Sequence, residues 1–159
     1  MKLLKLSMNL LFSILLFLSL QACGGESPER SETGGESEAP GLTEFQLEHG
    51  IGPVTERIEV SDDLDPELIE QGRNIYEMKC EMCHNMEGRM VGPPLGEITD
   101  KRSPEFLMNM ILNPGEMARA HPVGQELLRE YMTVMPFQNV QRDEARAIVE
   151  FLRYYNENN

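Results

Sequence analysis

The run Cys80-Glu81-Met82-Cys83-His84 constrains this chain of 159 residues more than any other stretch. Two thiols three positions apart, followed at once by an imidazole, form the attachment pattern of a c-type haem. Each thiol can add across one vinyl group of the haem and leave a thioether. His84 then lies beneath the iron as the proximal ligand, where an imidazole nitrogen suits the metal. A thioredoxin-like redox pair also reads Cys-x-x-Cys, but it belongs at a strand end in a βαβ setting, and here the motif closes an amphipathic helix. A structural zinc site needs four ligands, and no second Cys-x-x-Cys or His-x-x-x-His completes one. A chance match in a surface loop is the bland alternative. The motif is specific enough to set it aside.

The third cysteine lies far upstream. Residues 1–22 carry Lys2 and Lys5 and then an apolar run from Leu10 to Leu20, the layout of a secretory signal. That run is too short to span a bilayer comfortably. It ends in Leu20-Gln21-Ala22-Cys23, which resembles the lipobox of bacterial lipoproteins, with Gln a less usual second residue. The resemblance implies a diacylglyceryl group on Cys23, cleavage before it and acylation of the new terminus, enough acyl chains for stable anchoring. With Cys80 and Cys83 bound to haem and Cys23 lipidated, no thiol remains for a disulfide. Both assignments require export, to the outer face of a bacterial membrane.

The formal charge is −13. Loss of the signal removes two lysines and no acid, so the mature chain is more negative still. This argues against nucleic acid or anionic lipid as electrostatic partners, and suits steering toward a basic docking surface on a redox partner.

Residues 23–41 are acidic and, after Cys23, devoid of large apolar side chains, the composition of a disordered tether. Residues 42–64 have scattered apolar residues broken by His49-Gly50-Ile51-Gly52-Pro53, and are expected to lie extended along the domain. The compact domain, 65–159, opens at Asp65, a helix cap with Pro66 behind it. Leu68, Gly72, Ile75 and Tyr76 share a helical face running into Cys80. Further helices are expected after Ser103-Pro104 (ending at Asn113-Pro114-Gly115), after His121-Pro122, and from about Arg142 to Tyr155. No alternating strand pattern occurs. The fold class is all-α, with four to five helices.

The order Cys-x-x-Cys-His, Gly92-Pro93 loop, Met135-Pro136 and amphipathic final helix resembles the class I monohaem cytochromes c over residues 65–155. The resemblance implies one covalent haem c, a Pro93 carbonyl that receives the Nδ1 proton of His84, and a crossing of first and last helices at Gly72 and Tyr76 against Leu152 and Tyr155. It implies Met135 as the sixth ligand of the iron. The longer run, from His49-Gly50 through Asn113-Pro114 to the final helix, is similar to small lipoprotein cytochromes found with bacterial nitrous-oxide reductase systems.

The sixth ligand separates a carrier from a haem enzyme. The other methionines of the domain read as fillers of irregular space or as surface. His121, at a helix start, reads as a solvated cap, and His49 as part of a mobile, Gly-rich segment. The reading as a whole is a lipid-anchored one-electron carrier between a respiratory donor and a terminal reductase or oxidase, not an enzyme, and without a small-molecule substrate. The alternative is a haem enzyme or gas sensor with an open distal site.

Overall fold

A computed structural model describes residues 41–159. The expected signal, Cys23 and the tether up to residue 40 lie outside the described residues. These form seven helices and no strand: α1 (Glu44–His49), α2 (Pro66–Lys79), α3 (Ile98–Lys101), α4 (Pro104–Leu112), α5 (Pro114–Ala120), α6 (Pro122–Tyr131) and α7 (Arg142–Asn158). None of them is long and apolar enough to cross a membrane.

The four helices with clear cap and periodicity signals are present: α2, α4, α6 and α7. Asp65 accepts hydrogen bonds from the amides of Glu67 and Leu68, and Ser103 from that of Phe106. Proline follows each cap, where its missing N–H has no helical partner to lose. The extra helices are short. Asn113 does end α4, but Pro114 opens α5 in the next step, so the expected stop is a corner between two helices.

Helix α2 packs most extensively on α7. The crossing is made at Gly72, whose absent Cβ would strike the Ala147 carbonyl and Phe151. Tyr76 packs against Phe151 with the rings tilted and their centroids 5.4 Å apart. Phe151 takes the place expected of Leu152. Leu152 instead faces the main core with Phe106, Leu107, Met108 and Ile148. A 17-residue helix presents a wide apolar face, and sequence spacing alone does not tell which of its ridges the glycine meets.

Segment 42–64 lies along this core, but is not simply extended. Thr43 and Gln46 form a reciprocal capping box that starts α1. Val54 is fully buried in the core, and Ile51 and Ile58 pack against it. Asn109 fastens this strap: its amide nitrogen donates to the carbonyls of His49 and Val54, both at 2.9 Å, and its oxygen accepts from the Val54 amide at 2.9 Å. Asn113 donates to the Ile51 carbonyl, Glu105 accepts from the Ile58 amide, and Arg153 donates to the Ser61 carbonyl.

His49 and His121 differ from expectation. His49 is 2% exposed and its Nδ1 lies 2.7 Å from the Ser103 hydroxyl, so it is held, not mobile. His121 does cap α6, accepting from the Val123 amide, but it is 1% exposed, and its Nε2 donates to the Leu47 carbonyl at 3.2 Å. Burial pushes its pKa below the ordinary value of 6.5, keeping the ring neutral.

Candidate functional site

Every helix from α2 to α7 contributes to the wall of one cleft of about 270 Å³. Phe106, Leu107, Met110, Ile111, Leu127 and Leu128 make its apolar lining, and Cys80, Cys83 and His84 all border it. Helix α2 delivers the motif. The Cys80 amide still donates to Tyr76 as the helix ends, and the amides of Cys83 and His84 both donate to the Cys80 carbonyl, at 3.0 and 2.9 Å. That tight turn aims two cysteines and a histidine at the same space. The two thiols are free, not joined in a disulfide. Burial pushes the Cys80 thiol up to about 11.

His84 is fixed on three sides. Its Nδ1 donates to the Pro93 carbonyl at 2.9 Å, which leaves Nε2 with its lone pair available as a metal ligand. Gly92 lies flat against the ring, and a Cβ there would collide with the imidazole. The Tyr76 hydroxyl donates to the His84 carbonyl at 2.8 Å, and burial pushes that phenol up to about 12, so it stays a donor. The roles of Tyr76 and Gly92 toward His84 were not legible in the motif. Their signal, an aromatic and a glycine at fixed offsets from it, has many ordinary explanations.

Met135 borders the cleft from the irregular segment between α6 and α7, half-buried. Met110, expected as a filler, is the other methionine on the lining. Met117 is fully buried and accepts a hydrogen bond from the Ile51 amide, whereas Met78, Met82, Met90 and Met132 are exposed. Neither His49 nor His121 borders the cleft. Lys79, Lys101 and Arg102 are the charged residues on its lining, all cationic in a strongly acidic chain.

This arrangement fits a c-type haem. Two free thiols and an imidazole with one committed nitrogen meet an apolar space that a flat cofactor can fill, and cations suit its propionates.

Comparison with known proteins bears on the same residues. Residues 69–156 match the protein family described as Cytochrome c. Among solved structures, a cytochrome c from Rhodothermus marinus is similar at 37% identity and a TM-score of 0.68, covering 72% of this chain and 97% of that one. An engineered form of that protein, Rma TDE, is similar at 36% identity and a TM-score of 0.67, covering 71% of this chain and 97% of that one. The same engineered protein bound to a carbene intermediate gives 37% identity and a TM-score of 0.65 over 71% of this chain and 97% of that one. No curated protein matches the chain.

Proposed function

Because this chain belongs to the cytochrome c family, and so is an electron-carrying haem protein with covalently bound haem c, we propose that it is a one-electron carrier tethered to a membrane. Cys80 and Cys83 would hold the cofactor covalently, the His84 imidazole and the Met135 thioether would bind its iron, and Pro93 orients His84. Haem c, when bound, supplies the group that accepts and releases the electron. The protein's work is to fix the imidazole, present a thioether sulphur, exclude water with its apolar walls and counter the propionates with Lys101 and Arg102. The observation that carries this reading is the convergence of the motif and Met135 on one apolar cleft.

The lipid anchor on Cys23 places the domain outside the cytoplasm, at a bacterial membrane. It acts through local concentration, not contact, so electron transfer in solution survives its loss. The acidic chain docks on a redox partner with a basic surface, and the similarity to the small lipoprotein cytochromes supports a nitrous-oxide reductase as the acceptor.

The axial assignment is tested by the weak near-infrared sulphur-to-iron band of the ferric protein. Met135→Ala should abolish it and lower the reduction potential, since a neutral soft ligand favours the ferrous state. Met110→Leu and Met132→Ala should keep it. Loss of the band in Met110→Leu but not in Met135→Ala would move the ligand to α4.

A further inference from the structure

We propose that Arg89 is a positioning residue that ties the Met135 segment to the loop behind His84. The proposal rests on the reading of Met135 as the axial ligand. Arg89 lies five residues after His84, in the loop that returns through Gly92. Its guanidinium sits 4.1 Å from the centre of the Tyr131 ring. One terminal nitrogen donates to the Glu130 carbonyl at 2.8 Å, and the other reaches the Glu130 carboxylate at 3.3 Å.

Glu130 and Tyr131 are the last two residues of α6, so Arg89 satisfies a carbonyl that the helix end leaves open and opposes the negative end of its dipole. Met132 then takes a left-handed conformation (φ 54°), and the chain runs without helix through Thr133, Val134 and Met135 until α7.

Apart from Val140, which is buried in the core at its far end, little else holds this segment. Among the described residues, hydrogen bonds tie positions 133–140 to other parts of the chain at one point, Lys79 to the Asn139 carbonyl at 3.3 Å. Val134 and Phe137 are exposed. The place where the segment leaves α6 is set by Arg89, and its other end by Lys79 and the buried Val140. Both cations come from the stretches that flank the Cys-x-x-Cys-His motif. A loosened exit from α6 lets the Met135 sulphur leave the iron more often without unfolding the core.

The test is carbon monoxide binding to the ferrous holoprotein, for which the thioether must first dissociate. Arg89→Ala should bind about five- to tenfold faster than wild type, the weight of one charged hydrogen bond with an exposed cation–π contact. The near-infrared band of its ferric form should fade at lower temperature, while the denaturant midpoint of the helical signal barely moves. Arg89→Lys keeps the cation near Tyr131 but loses the paired N–H contact, so it should fall between the two. It also serves where the alanine variant folds poorly. An unchanged rate and band in both variants overturns the clasp, as does a lowered denaturant midpoint with an unchanged rate. A band that survives Met135→Ala overturns the ligand reading instead, and that result separates the two failures.

Discussion

On the strap side of the molecule, residues 42–64 are fastened by side chains from α4 to α7: Glu105 and Asn109 of α4, Asn113 at the corner, Met117 of α5, His121 at the start of α6 and Arg142 and Arg153 of α7. Nearly all of those bonds end on strap backbone. On the cleft side, the segment carrying Met135 has two cations at its ends and an apolar wall beneath it. The strap's polar groups are satisfied by the protein itself. The cleft's side chains face space that only a cofactor fills. Stability and function are thus divided between regions, and substitutions should separate them.

The largest effect is expected from emptying the cleft. Cys80→Ala with Cys83→Ala should leave no haem on the polypeptide after acid-acetone treatment and should cost most of the far-ultraviolet helical signal, because a bound cofactor stabilises only the folded state. A double variant that still melts cooperatively with full helicity would show that the strap side folds alone.

Glu150 ties the strap's end to the two main helices. It is 1% exposed, accepts from the Asp65 amide at 3.0 Å and pairs with Arg146 at 2.7 Å and Arg153 at 3.0 Å. Burial pushes its carboxyl up, but the Asp65 amide and the two guanidinium groups outweigh it and hold the pKa below the ordinary value. Glu150→Ala leaves both arginines without their buried partner and should cost about 3–5 kcal/mol in denaturant titration. Because the pKa is depressed on folding, the stabilisation is present above the ordinary carboxylate value and is lost as pH falls through the folded value. A variant as stable as wild type at pH 7 would contradict this.

Asn109→Ala should cost about 2–4 kcal/mol by orphaning buried strap amides and carbonyls. Its visible and near-infrared spectra should match wild type at 25 °C. A shifted spectrum would mean that the strap and the iron site are coupled after all.

The smallest effect is expected at His121. Its neutral ring is both the cap of α6 and the donor to Leu47, and its pKa is lowered on folding. Stability should therefore be full above about 6.5 and decline as pH falls below it, where the unfolded chain takes up the proton first. His121→Asn keeps a cap and should remove that part of the decline, at a cost of about 1 kcal/mol at pH 8. Equal slopes in the two proteins would remove His121 as the source.

How much of this was legible in the sequence follows the same division. The cleft is marked by local chemistry: adjacent cysteines and histidine, a proline after a glycine, a Met-Pro pair. Such signals survive without knowledge of the fold. The strap's one local signal is the Thr43-x-x-Gln46 capping box, and nothing local marks how the strap is fastened. His49 and His121 are bland in sequence, and their burial comes from contacts with Ser103 and Leu47, each more than fifty residues away. The same holds for Asn109, which in sequence is one polar residue on an apolar helix. Arg89 shares the difficulty, because its target is a carbonyl that becomes available only where α6 ends.

The central claim is that Met135 closes the iron site to make a carrier. Its most direct test is the absorption spectrum of the reduced wild-type holoprotein before and after mixing with carbon monoxide. The wild-type spectrum should stay unchanged over the mixing time, with binding only as fast as the thioether leaves, and binding should become rapid once Met135 is replaced by Ala. Rapid, complete binding to the wild-type protein would contradict it and identify an open-site haem protein.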